Sequence, residues 1–202
     1  MIAAISAAIA EARDELNRLD STLGDGDHGT SLSVAYADAA AKVAALDQPT
    51  LSGVLSVTAQ SLMNRMGGAS GALYGTLFLR AGTTAKDKAR LTHEDMKILW
   101  RAALDGVIAR GKAQPGDKTM IDALQPAVDA FAAGATLDES FERAAAAAAE
   151  GAQATAKMVA QHGRAKFVGE RALGHVDAGA RSIAVTFAAL DAYWKESQHG
   201  ET

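Results

Sequence analysis

Apolar positions along this chain recur mostly at spacings of three and four. Ile2, Ile5, Ile9 and Leu16 form one stripe that ends near Asp20. Leu32, Ala35, Ala39, Val43 and Leu46 form a second, beginning just past an acidic turn. That period puts the apolar side chains on one face of an α-helix. Further helices are predicted at about 50–66, 70–82, 92–110, 118–133, 138–161 and 178–196. No alternating run is long enough for a sheet core, and AAAAAA at 144–149 reads as helix interior. The expected fold is all-α, one domain over residues 1–202 with about eight helices and the irregular loops gathered at one end.

Composition strengthens this reading. Alanine is abundant, aromatics make up 5%, and prolines occur only at 49, 115 and 126, a balance that favours helix. Hydrophobic residues at 49%, charged residues at 22% and a net charge of −4 describe an ordinary globular chain. No basic stripe or aromatic platform suits nucleic acid. The absence of cysteine excludes a disulfide framework and thiolate metal ligation. The opening MIAAISAAIAEARDELNRLD turns strongly charged after its apolar start and lacks the basic region and cleavage site of a secretory signal. No apolar run approaches the roughly 20 residues of a membrane span, so the expected location is cytoplasmic.

The chemistry lies in the breaks between helices, which read GDGDHG, MGGASGA, GKAQPGDKTM and HGRAKFVGERALGHVDAGA. The stretch LDSTLGDGDHGTSL at 19–32 brings Asp20, Asp25 and Asp27 close together and follows them with His28. If Asp20 closes a helix, its charge meets the negative end of the helix dipole. Asp25 and Asp27 add repulsion, while the intervening glycines let the backbone converge the three side chains. Such a turn attracts a hard divalent cation such as Mg²⁺, which takes carboxylate oxygens and keeps water or phosphate as further ligands. The alternative is that Asp27 caps the next helix and the others face solvent. A calcium loop does not fit: counted from Asp25, the sixth position is Thr30 and the twelfth Tyr36, where glycine and glutamate belong.

MGGASGA at 66–72 runs into a helix near Ser70, where exposed amides and a hydroxyl suit phosphate, although glycines also serve plain helix connections. GVIARGKA at 106–113 misses the Walker pattern, because Ala113 replaces the hydroxyl residue and no strand precedes it. In GDKTM at 116–120, Asp117 reads as an N-cap. The last loop carries Arg164, Lys166, Arg171 and His175, which either neutralise phosphate opposite the acidic turn or lie solvated. His93, His162 and His199 lack metal-ligand spacing and read as surface residues. Zinc-peptidase and α/β-hydrolase motifs are absent.

Together, LGDGDHG, MGGASGALYGT, GKAQPGDKTM and GRAKFVGERALGHVDAGA resemble, in order and separation, the L subunit or nucleotide-binding domain of dihydroxyacetone kinases. The resemblance covers essentially the whole chain. It implies an antiparallel barrel of eight amphipathic helices, with ADP or ATP bound at one mouth through two Mg²⁺ ions. Asp20, Asp25 and Asp27 match the metal-binding carboxylates. His28, Gly29, Thr30 and Ser31, with Ala69 and Ser70, match positions that contact nucleotide or phosphate. Gly111, Met120, Arg164, Asp177, Ala178 and Gly179 match further nucleotide contacts, and Arg164 is the candidate catalytic residue that neutralises phosphate charge. Three departures stand out. Ser31 replaces a frequent asparagine, DAG at 177–179 replaces the more usual DPG, and the chain begins within its first helix, as if a leading segment were missing or shorter.

The implied activity is transfer of the γ-phosphate of ATP to dihydroxyacetone. A K subunit is expected to supply the substrate pocket and the general base. In one form of this chemistry the nucleotide is retained, and a phosphohistidine M subunit of the phosphotransferase system rephosphorylates ADP in place. In another, nucleotide exchanges freely and the acceptor is dihydroxyacetone or another short keto-sugar. A non-catalytic nucleotide-binding protein that contacts a transcription regulator is a different class of reading, and a plain helical Mg²⁺ scaffold is a third. No nucleic-acid or membrane partner is expected.

Overall fold

A computed structural model describes residues 1–199, the last by its backbone alone. Nine α-helices are found among the described residues: α1 (Ile2–Glu11), α2 (Arg13–Leu23), α3 (His28–Ala44), α4 (Leu51–Arg65), α5 (Gly68–Thr84), α6 (His93–Gly111), α7 (Ile121–Ala133), α8 (Leu137–Ala154) and α9 (Ala178–His199). Short 3-10 turns occupy Thr155–Lys157, Arg164–Phe167 and Gly169–Ala172, and no strand occurs among the described residues. None of the helices described is long and apolar enough to cross a membrane.

The first predicted helix is interrupted at the single residue Ala12 and continues to Leu23 rather than ending near Asp20. The interruption preserves the apolar face, since Ile2, Ile5, Ile9 and Leu16 are all buried. Each such side chain contributes roughly 1.5–3 kcal/mol by leaving water. The second stripe is shorter than expected: α3 ends at Ala44, so Leu46 lies beyond it. α4, α6 and α8 begin behind Thr50, Thr92 and Thr136, each accepting a bond from a first-turn amide. At Thr92 the Asp95 carboxylate returns the bond, completing a capping box.

Two helices depart from the periodicity for local reasons. α7 starts at Ile121, not 118, because Lys118 takes a left-handed φ of 59° and the Asp122 carboxylate holds the amides of Gly116 and Thr119 in a turn. α8 stops at Ala154, short of 161, and the chain turns extended at Met158. The buried Thr155 is committed there, its hydroxyl donating to the Ala152 carbonyl and accepting from the Asp177 amide.

Consecutive helices from α3 to α9 pack on one another, α1 and α2 lie against α3, and α9 returns to α1. The sequence of neighbours therefore closes on itself. Its core holds Tyr36, Tyr74, Phe131 and Phe187 among many alanines, with Trp100 and Phe187 at 4.8 Å and Phe131 edge-on to Phe141 at 5.2 Å. Small side chains allow close approach. Pro126 inside α7 leaves the Asp122 carbonyl without its helical donor, and α8 passes that carbonyl at Gly151. A Cβ at Gly151 would stand 2.2 Å from this backbone oxygen. Gly151→Ala is therefore expected to lower unfolding free energy by about 2 kcal/mol in urea denaturation. An unchanged midpoint would show that the α7–α8 contact has more room than the structure gives it.

Candidate functional site

The acidic turn between α2 and α3 is organised by its own first carboxylate. One oxygen of Asp20 accepts the amides of Gly26 at 2.9 Å, Asp27 at 3.0 Å and His28 at 3.3 Å. Three donors offset the repulsion from the carbonyl end of α2. A Cβ at Gly24 would lie 2.4 Å from the other Asp20 oxygen, so a larger residue there would have to displace that carboxylate.

Asp27 precedes α3 but makes no side-chain cap. Asn17, one helix earlier, performs that role. Its side-chain oxygen accepts the Thr30 amide at 2.9 Å, and its nitrogen donates to the Thr30 hydroxyl at 2.8 Å. Asp27 therefore remains available, its carboxylate accepting a long bond from the Ser31 hydroxyl at 3.4 Å. Asp20, Asp25 and Asp27 each offer an oxygen, all within 4.8 Å of one another. An all-oxygen, anionic donor set of this kind suits Mg²⁺ better than a soft metal. Across from it, Arg164 forms an ion pair with Asp25 and holds that carboxyl below the usual carboxylate range.

These groups line a cleft of about 740 Å³, within the range of small-molecule sites. The four irregular loops meet there, as expected from their sequences. Asp20 comes from the end of α2, Asp25 and Asp27 from the turn after it, His28 and Ser31 from the start of α3, and Ala69 and Ser70 from the start of α5. Gly111, Met120, Arg164 and Asp177 through Gly179 also line the cleft. No side chain caps the first turn of α5, so its amides are free of the usual side-chain partner and suit an anion. Gly29 and Thr30 do not line the cleft. Gly29 packs against the Arg13 carbonyl, where a Cβ would stand at 2.1 Å, and Thr30 is engaged by Asn17.

Behind the cleft lies a buried polar chain. His28 Nε2 is 2.9 Å from the Ser182 hydroxyl, which also bonds the Tyr74 hydroxyl and donates to the Gly179 carbonyl at 2.9 Å. Burial lowers the pKa of His28 against the opposing pull of Asp20 and Asp27. Asp177 caps α9 by accepting the Ala180 amide at 2.7 Å, and burial raises its pKa to about 6.

Several expectations need correction. Asp117 is not an N-cap: its carboxylate accepts the Gln114 amide at 2.8 Å and faces His162 Nε2 at 3.0 Å. His162 thus lines the cleft rather than the open surface. His93 is half-buried, with Nε2 at 2.8 Å from the Ser140 hydroxyl and its ring edge-on to Phe131. The side chain of His199 lies outside the described residues. Lys118, Tyr74 and Asn17 had no assigned role in the sequence. Lys118 was legible only as part of GDKTM, and the other two depend on partners distant along the chain.

A family model described as the DAK2 domain matches residues 22–192. The chain is 38% identical over 172 residues to the ADP-binding subunit DhaL of a PEP-dependent dihydroxyacetone kinase from Escherichia coli, covering 83% of this chain and 82% of that protein. It is also 38% identical to a D-erythrulose kinase of Mycolicibacterium smegmatis, over 90% of this chain but 32% of that one. The crystal structure of the dihydroxyacetone kinase of C. freundii superposes with a TM-score of 0.77 at 29% identity, over 95% of this chain and 33% of that one. The same enzyme in complex with AMP-PNP and Mg²⁺ gives 0.75.

The raised pKa of Asp177 sets a pH signature. A carboxyl that holds its proton more tightly when folded stabilises the protein at low pH, and that contribution is lost as pH rises through about 6. Asp177→Asn keeps a capping side chain without the titration. The stability of the original protein relative to this variant is expected to fall from about pH 4 to about pH 7 and then level off. A flat difference across paired urea titrations would show that the pKa of the Asp177 carboxyl is not raised.

Proposed function

The chain belongs to the DAK2 domain family, and from that premise we propose that it is the nucleotide-binding phosphoryl-transfer subunit of a dihydroxyacetone kinase. The observation that carries this reading is the convergence of three carboxylates, an arginine and an uncapped helix start on one cleft. Phosphoryl transfer asks little covalent chemistry of a protein and much charge placement. Asp20, Asp25 and Asp27 are the residues that would hold two Mg²⁺ ions, which supply positive charge to the β- and γ-phosphates of ATP. The amides at the start of α5 and the Ser70 hydroxyl bind phosphate oxygens. Arg164, paired with Asp25 in the structure, turns its charge to the transferring phosphate. His28 is held by Ser182 with its ring at the edge of the cleft beside Asp27. The acceptor hydroxyl and the base that deprotonates it belong to a K subunit that binds dihydroxyacetone.

The relative named as the ADP-binding subunit of a PEP-dependent kinase supports a retained ADP, and in this reading an M subunit rephosphorylates it from phosphohistidine. A second reading, an ATP-dependent kinase with exchangeable nucleotide, is favoured by the likeness to erythrulose kinase and to the AMP-PNP complex. The two separate on whether added ATP alone, with a K subunit, sustains turnover. Phosphohistidine-dependent turnover identifies the first.

Asp25→Asn and Asp27→Asn are each expected to weaken Mg²⁺-dependent ADP binding at least about tenfold in calorimetric titration. Far-ultraviolet dichroism is expected to stay unchanged, because neither carboxylate caps a helix. Binding of undiminished affinity in both variants would take the metal role away from this turn.

A further inference from the structure

Lys118 is the buried cation beside the cleft that the proposed chemistry does not use. Its side chain is 1% exposed, and its backbone sits in the left-handed region at φ 59°, a conformation that costs a non-glycine residue energy. The ammonium donates to the Thr155 carbonyl at 2.6 Å and to the His175 carbonyl at 2.5 Å. These acceptors stand at the two ends of the loop that carries Arg164.

Other bonds converge on the same closure. The Gly174 amide donates to the Ala156 carbonyl at 2.7 Å, and the Asp177 amide to the Thr155 hydroxyl at 2.9 Å. The neighbouring Asp117 holds the near limb of the loop, its carbonyl accepting the Gln161 amide at 3.1 Å and its carboxylate facing His162. Beyond those ties the loop is anchored by the buried Ala160 and Ala172, while its middle is exposed. Two 3-10 turns replace longer helix, and Phe167 is 78% exposed. Burial lowers the pKa of Lys118, while Asp177 and Asp122 favour its charged form.

We propose that Lys118 is a positioning residue: its ammonium closes the base of the Arg164 loop and thereby sets how Arg164 meets the acidic turn. A charge is suited to this task because one ammonium has several donors and can hold two carbonyls together. The left-handed backbone at 118 is part of the same arrangement, since it turns the side chain inward immediately before α7 begins. The consequence for nucleotide rests on the function proposed above; the closure of the loop does not.

Hydrogen exchange on the nucleotide-free protein tests the closure directly. In Lys118→Met, amides within 158–173 are expected to exchange about tenfold faster or more, while α3 to α6 keep their protection. Unchanged exchange in the loop overturns the proposal. Lys118→Gly, which takes the left-handed backbone without strain, repeats the measurement if the methionine variant fails to fold. Loss of protection throughout the protein in both variants also overturns it, because Lys118 would then hold the whole core. Release of Mg–ADP tests the link to Arg164. Lys118→Met and Arg164→Ala are each expected to speed release about tenfold, and the double variant no more than about twofold beyond the faster single. Multiplying effects would show that the two residues act independently. If Arg164→Ala leaves release unchanged while loop exchange still responds to Lys118→Met, the nucleotide reading of Arg164 fails and the closure stands.

Discussion

Negative charge concentrated at the carbonyl end of a helix has to be held in place, and in this protein Asp20 provides the hold. One of its oxygens gathers three consecutive amides from the turn that follows α2. Those bonds offset the helix dipole and bend the chain back so that Asp25 and Asp27 stand beside Asp20. Asn17 completes the arrangement by capping α3, which leaves Asp27 free. Without both devices, the carboxylates would be used within the backbone or spread into solvent.

The rest of the molecule brings the other loops to this turn. Alanine and glycine at helix contacts let the helices approach closely and close their order of packing, with α9 against α1. The buried chain of His28, Ser182, Tyr74 and Gly179 ties the acidic turn to the start of α9. Lys118 and Asp117 tie the turn before α7 to the Arg164 loop. Rigid helices and polar ties thus fix a cleft walled by the ends of several helices and the loops that join them.

Much of this was legible in the sequence because it depends on local pattern. The stripes of Ile2, Ile5, Ile9 and Leu16, and of Leu32, Ala35 and Ala39, became buried helix faces. The acidic turn and the glycine-punctuated breaks are the segments that gather at the cleft. What stayed hidden depends on distant partners. The cap from Asn17 is not visible in GDGDHG, where Asp27 is the obvious candidate. His162 reads as a surface residue until Asp117 is brought beside it. Lys118 has no helical or metal pattern, and its role appears only when Thr155 and His175 are folded together. Gly29 and Thr30 lie next to lining residues in sequence but point the other way in structure, toward Arg13 and Asn17. The Ala12 interruption has no signal in the chain that we can identify.

The central claim is that the cleft bounded by Asp20, Asp25, Asp27 and Arg164 is a magnesium–nucleotide site. The most direct measurement is the nucleotide content of the purified protein after extensive dialysis in Mg²⁺, by denaturing it and chromatographing the supernatant. The account predicts adenine nucleotide near one equivalent, or an empty protein that takes up ADP or ATP again only when Mg²⁺ is present. A protein that is empty after dialysis and binds neither nucleotide with Mg²⁺ would contradict it.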